Sequence, residues 1–522
     1  MDFLQILDLP IEPGGLVEWT PVLDGRKGLR LDPRPTSFNH EQHLSDALAY
    51  QAQTGHTGGR ESWLGLSIEF DEPLSIPAIR AALTAWIDRH EVLRTHVVEA
   101  DDSDAGAAPE VGAQRFRRFS AEPGAVSVKM SRVGWYHDPT LLLDQIAGWF
   151  DRSTAPVRWP AYCFATVGRE DSFTLLFAGD HSLLDGYSLI AAVPELRALY
   201  RQAVVAAGRP ARGHAPPLLP AESIGSYVDF SAAERAAAEQ SRATDPAVDT
   251  WAEFLADGMP RYPTVAGSAA ASPTASAAAG HPTARENDRR AEQPRGFAVG
   301  GYAEGSEAAA DATPQISYYA LLADDDTANE FTAVCSGAGA TLFAGVMASL
   351  AYAAHRRTGV RRFRAILPRH TRHEPRWLAA VGWFVTLSPF DLEVSGAESF
   401  TELAVRASAE LRRGRAAATQ PLLRVAQLLG TSGAPQFVVS FLDTRSAPGA
   451  PHDDSGGARV LRSHRYADDE VYLWINRTPS GLRLSARYPR RLDEDVHTYV
   501  ADVTALIAQV AETSSWHARG LV

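Results

Sequence analysis

The sequence predicts an α/β fold built from two lobes, and three observations carry that reading. At 522 residues the chain can bury a large core and is too long for one ordinary domain. Strand-like alternation and helical three-to-four-residue spacing succeed one another along its length. One stretch, Phe173 to Tyr200, joins the two patterns through a polar turn. There the apolar run Phe173, Leu175, Leu176 and Phe177 leads into Asp180 and His181, then Asp185 and Gly186, then an apolar helix pattern. Gly179 and Gly186 bracket the turn. His181 therefore stands on a strand-to-loop edge, where rigid backbone on both sides aims it. An unperturbed imidazole pKa of about 6.5 suits a general base near neutral pH.

In chain order, Leu16 to Pro21 reads as a first edge strand and Ser37 to Tyr50 as a helix. Leu64 to Phe70 alternates as a half-buried strand does. Ser75 to His90 is a helix with Ser75 as its N-cap and Pro77 in its first turn. It ends in RHEVLRTHVV, Arg89 to Val98, where Arg89, His90 and Arg94 are expected to tie helix to sheet. Leu141 to Phe150 follows as a helix. Pro156 to Val167 is a strand expected to form a hairpin with the strand before His181. Ser188 to Ala206 is helical in pattern, with Pro194 expected to delay its start or bend it.

Gly208 to Ser223 is rich in proline and glycine and reads as the passage out of the first lobe, dividing the chain into 1–215 and 216–522. Helices are expected around Tyr227 to Gln240 and Trp251 to Leu255. Residues 265–313 hold few large apolar groups and read as a disordered surface insertion. Gln315 to Ala323 is a strand pattern, followed by helices over Thr327 to Gly337 and Thr341 to Arg356. The second of these is apolar on most faces and therefore sandwiched between other elements. A closing strand, GLRLSARYPRRL, leads into a helix from Glu494 to Ala511.

The composition excludes several classes. A formal net charge of −13 argues against a general nucleic-acid binder, which needs a basic face for phosphates. Cys163 and Cys335 both sit in apolar settings and make neither a disulfide framework nor a metal cluster, so core packing is expected. His370 and His373 have a three-residue spacing without suitably placed carboxylates, and no metal is expected. No GxSxG elbow is present. The N-terminus lacks a basic start and an unbroken apolar run, and no uncharged stretch reaches transmembrane length, so a soluble cytoplasmic protein is expected.

Three segments together resemble the superfamily of thioester-dependent acyltransferases that includes chloramphenicol acetyltransferase and peptide-synthetase condensation domains. They are RHEVLRT, the HxxxDG of His181 to Gly186, and VGWFVTLSP, Val381 to Pro389, where condensation domains carry VGxFVNTLPL. A narrower resemblance lies in GWFVTLSP, FVVSFLDTRSAP (Phe437 to Pro448) and VYLWINR (Val471 to Arg477). These are similar to the polyketide-associated acyltransferases of actinobacteria, which esterify sugars such as trehalose with long acyl chains.

The resemblance implies two chloramphenicol acetyltransferase-like lobes, each a mixed β-sheet flanked by helices. They would form a V-shaped pseudo-dimer with a channel between them. It implies an O-acyltransferase with His181 as general base. Asp185 and Gly186 would be structural, and Asp185 would turn away from the channel to pair with Arg372, nine residues before Val381. Asp180 stands where the family has the first histidine of HHxxxDG, and a carboxylate pointed inward there would raise the pKa of His181. Thr386 replaces an asparagine. Asp180, Trp383, Thr386 and Ser440 are expected to line the channel.

The cosubstrate implied is acyl-CoA or an acyl-phosphopantetheine, the latter presented by an acyl carrier protein or polyketide synthase. No permanently bound cofactor is implied, and the acceptor is a sugar, glycolipid or polyketide hydroxyl. Arg412, Arg413 and Arg415 either greet an acidic carrier or coenzyme A phosphates or form a solvated helix end. A monomer is expected. The alternatives are a stand-alone condensation enzyme forming amide or ester bonds, and a catalytically silent relative that docks carrier proteins.

Overall fold

The computed structural model describes residues 2–25, 28–55, 63–100, 115–209, 218–264, 315–431, 433–447, 457–464 and 470–514. The expected insertion at 265–313 and residues 210–217 of the connector lie outside the described residues.

Every residue of the strand Phe173–Gly179 is buried, because helices cover both faces of its sheet, Ile76–Arg89 and Gly186–Ala206 on one and Pro139–Ser153 on the other. It lies at the centre of a seven-stranded sheet. The neighbours, in order, are Asp2–Gln5, Ala458–Arg462, Leu64–Phe70, Phe173–Gly179, Tyr162–Gly168, Gly15–Leu23 and Val126–Trp135. The Tyr162–Gly168 strand forms the expected antiparallel pair with Phe173–Gly179, in the register Tyr162 to Gly179. The Leu16 strand is not an edge. It spans Gly15–Leu23 and is covered by Val126–Trp135, whose outer half alternates too many exposed polar and charged residues to read as a strand from apolar pattern alone.

A second, six-stranded sheet runs Ile316–Asp324, Gly481–Tyr488, Val471–Thr478, Phe437–Asp443, Arg362–His370, Val385–Glu393. Parallel and antiparallel pairings both occur in it. The helices Leu342–Thr358, Phe400–Ala417 and Asp493–Thr513 pack on one face and bury a large apolar cluster. A three-stranded sheet of Arg30–Asp32, Phe116–Ser120 and Thr95–Glu99 completes the strands among the described residues.

The two halves of the chain are interleaved. Ala458–Arg462, from the second half, inserts into the first sheet, parallel to Asp2–Gln5 and antiparallel to Leu64–Phe70. Tyr227, Trp377, Val381, Trp383 and Phe384 join the first apolar cluster. The chain therefore crosses the division expected at residue 215 more than once. Both cysteines are buried. No single described helix is long and apolar enough to cross a membrane.

The helix after the motif runs Gly186–Ala206 and starts two residues earlier than its pattern suggests. Pro194 lies inside it and does not delay the start, because the Asp185 side chain caps the helix by accepting from Ser188 N at 2.7 Å. Glu195, further along the same helix, receives the RHEVLRT segment. Trp86 Nε1 donates to its carboxylate at 3.0 Å, Arg89 Nε at 2.5 Å, and His90 Nε2 at 2.7 Å. His90 Nδ1 accepts from Val381 N at 3.4 Å, which fixes the proton on Nε2. Arg89 and His90 therefore tie helix to helix rather than helix to sheet. Arg94 bonds to the Ala121 carbonyl.

Candidate active site

A cavity of about 210 Å³ lies between the two sheets. Phe3, Leu64 and Val460 form one wall, and Val438, Tyr472 and Trp474 the other. His181 reaches this cavity from the short 3₁₀ turn His181–Leu183 that follows the central strand. Its ring packs on Trp383, centroid to centroid 4.6 Å. His181 Nδ1 is buried without a hydrogen-bond partner, which leaves Nε2 as the nitrogen able to meet a substrate. Burial pushes the pKa of His181 below its ordinary value. The neighbouring charge of His43 acts the same way, while its own carbonyl, Asp180 and Asp185 oppose the shift. The ring is thus neutral near pH 7, the state a general base requires.

Asp180 behaves differently from the sequence-based expectation. Its carboxylate does not line the cavity, and the upward pull of its charge on His181 is outweighed by burial. It caps the 3₁₀ turn by accepting from Ser182 N at 2.9 Å, and it takes His43 Nε2 at 2.9 and 3.0 Å. Burial opposes its ionisation, but the charge and hydrogen bond of His43 prevail and hold its pKa low. The same pairing raises His43 against the effect of burial.

Asp185 borders the cavity, yet its carboxylate is consumed by protein. Oδ1 accepts from Ser188 N at 2.7 Å and Arg372 Nη2 at 2.9 Å, and Oδ2 accepts from Phe384 N at 3.0 Å. The Arg372 side chain is fully buried. Its guanidinium lies between Tyr187 and Phe384, at 4.9 and 4.2 Å from their ring centres, and donates to the Ala380 carbonyl at 2.7 Å. Ser188 Oγ accepts from Arg372 at 2.7 Å and from Gly382 N at 3.1 Å. This network joins the motif helix to the VGWF segment.

Gly186 opens the motif helix, and a methyl group there would meet Phe3 at 3.4 Å, an ordinary contact. Ser440 and Trp383 line the cavity. Thr386 does not. Val385 and Leu387 face the cavity, and strand alternation turns Thr386 to the other side of the sheet, where its hydroxyl donates to the Ala418 carbonyl at 3.0 Å. Arg413 pairs with Glu253, while Arg412 and Arg415 are exposed. Among the described residues no group of three or more His, Cys, Asp or Glu is placed to hold a metal.

His43 is the residue that sequence reasoning missed. It lies on the helix Phe38–Thr54, lines the cavity beside His181, and sits edge-on to Trp383 at 5.8 Å. A signal existed: an aspartate beside the motif histidine, followed by apolar residues, has to find a cation when buried.

No protein-family model matches the sequence. The chain is 23% identical over 521 residues to the acyltransferase PapA3 of Mycobacterium tuberculosis, covering 97% of this chain and 98% of that protein. It is 25% identical over 457 residues to the 2'-acyl-2-O-sulfo-trehalose (hydroxy)phthioceranyltransferase PapA1 of the same species, covering 86% of this chain and 76% of that protein. Among solved structures, a PapA2 acyl transferase superposes with a TM-score of 0.75 at 19% identity, covering 98% of this chain and all of that one. The first condensation domain of the calcium-dependent antibiotic synthetase gives a TM-score of 0.59 at 17% identity, covering 92% and 97%. Over nearly its whole length the chain is thus homologous to the PapA acyltransferases and shares the fold of condensation domains.

Proposed function

We propose that this protein is an O-acyltransferase that moves an acyl group from a thioester to a hydroxyl of a sugar or glycolipid. The observation that carries the reading is a neutral, desolvated His181 on the wall of an apolar cavity between the two sheets, in a chain homologous to PapA acyltransferases. His181 Nε2 takes the acceptor's hydroxyl proton as that oxygen attacks the thioester carbonyl. The tetrahedral adduct then collapses, the carbon–sulfur bond breaks, and the departing thiolate takes the proton from His181. Hydroxyl plus thioester becomes ester plus thiol.

The lining suits this task. Phe3, Leu64, Leu387, Val438 and Phe441 offer apolar surface to an acyl chain, and Trp474 and Tyr472 offer ring faces. Asp185, Gly186 and Arg372 we assign to holding the motif turn rather than to the chemistry. The donor we assign to coenzyme A or phosphopantetheine, on a free cofactor or a carrier protein, and the site to the cytoplasm where such thioesters are made. The test is to incubate purified protein with long-chain acyl-CoA and trehalose or a sulfated trehalose, and read the products by mass spectrometry. Ester formed by the native protein and absent in His181→Ala supports the reading. Equal product from both proteins overturns it.

A further inference from the structure

His43 is 95% buried, and its imidazole divides its two nitrogens between two environments. Nε2 is held by both oxygens of Asp180, which lies outside the cavity lining. The ring itself lines the cavity, and Nδ1 has no hydrogen-bond partner among the described residues. Trp383 packs against both His43 and His181, so the two imidazoles flank one indole on one wall. One ring is arranged to receive a proton and the other to donate a hydrogen bond.

We propose that His43 is a second catalytic residue, whose Nδ1–H donates to the oxyanion formed when the acceptor hydroxyl adds to the thioester carbonyl. This rests on the reading of His181 as the base. As the hydroxyl oxygen bonds to the carbonyl carbon, the carbonyl π electrons move to oxygen, and a fixed cationic donor meets that charge. No proton leaves His43 during the cycle. The donor is pre-oriented because Asp180 fixes the ring, and it acts in a site from which water is largely excluded, where a charged hydrogen bond is stronger than in water.

The surroundings favour the cationic form. Asp180 and Asp46 draw His43 upward against burial. His181 on the motif turn and His40 on its own helix are also close by, and Asp185, Arg369, His370, Arg462 and Arg487 line the same cavity. Burial, together with Arg118, His43 and His96, pushes His40 down to about 3, so it stays neutral and adds no competing charge.

The experiment is the pH dependence of kcat and KM for the native enzyme, His43→Gln, Asp180→Asn and His181→Ala, using an acyl-CoA and a trehalose acceptor, with circular dichroism to check folding. The native profile of kcat/KM should rise as His181 loses its proton and fall at higher pH as His43 loses its own. His43→Gln should lower kcat about a hundredfold or more, the usual effect of losing one oxyanion donor, with KM little changed. Asp180→Asn should move the alkaline limb to lower pH, a change that a purely structural role would not produce. A folded His43→Gln with native kcat, or an alkaline limb unmoved in Asp180→Asn, overturns the proposal. If neither variant folds, histidine-selective NMR of the native protein decides, and a His43 ring neutral at pH 7 overturns it. Activity in His181→Ala would instead refute the base assignment, so the two failures are told apart.

Discussion

Asp185 Oδ1 accepts a hydrogen bond from Arg372 Nη2 at 2.9 Å, between residues 187 positions apart, with both side chains removed from water. The bond fastens the motif turn to the segment that leads into Trp383. It holds His181 and Trp383 in register on the cavity wall. Removing one partner strands the other charge in a desolvated site.

Arg372→Ala is expected to cost about 3 to 5 kcal/mol, the usual penalty for breaking a buried pair. Asp185→Asn should lower stability and activity together. The double variant should be less damaged than the sum of the singles, because each single change already removes the interaction. Urea unfolding of the four proteins measures this, and strict additivity would contradict it.

His181→Ala should lower turnover by about a hundredfold or more. Its buried Nδ1 has no partner to leave stranded, so the melting temperature should change little. In the native enzyme the acid limb of kcat/KM should lie below the ordinary histidine pKa of 6.5, since burial depresses His181. A limb at or above that value would show that another group controls the acid side.

Glu195 is held below the ordinary carboxylate range. Burial opposes this, but the hydrogen bonds from His90 and Arg89 and the charge of Arg89 outweigh it. A carboxylate depressed on folding contributes stability above its unfolded pKa and loses it as pH falls through the folded value. Glu195→Gln should therefore cost about 1 to 3 kcal/mol at pH 7, given three donors left with a weaker acceptor, and progressively less in acid. Denaturation midpoints at pH 7 and pH 3 check it, and an equal loss at both would be inconsistent.

Two glycines should respond oppositely to alanine. Gly186 has room for a methyl group at ordinary contact distance from Phe3 and lies in a helix, so Gly186→Ala should be neutral or stabilise by about 0.4 to 1 kcal/mol. At Gly382 the methyl would run into the buried ring of Tyr227, and overpacking of that kind costs about 1 to 3 kcal/mol. Thermal melts of both variants distinguish the cases.

The sequence by itself determined the local pattern. The run Phe173 to Phe177 reads as a buried strand, and the polar residues after it mark the turn that presents His181. Counting back from Val381 reached Arg372 because the resemblance to condensation domains implies that spacing, and spacing along a chain survives without knowledge of the fold. Tertiary structure decided whatever depended on partners distant in sequence. It gave Asp180 to His43 across 137 positions, and so turned a residue expected to charge the channel into a cap and counter-ion outside it. It turned Thr386 away from the cavity, since which face of a strand meets a cavity is set by the sheet packed around it. It also drew Ala458–Arg462 into the first sheet, because a five-residue segment carries too little periodicity to name its partner, and backbone hydrogen bonds to Leu64–Phe70 and Asp2–Gln5 settle its place.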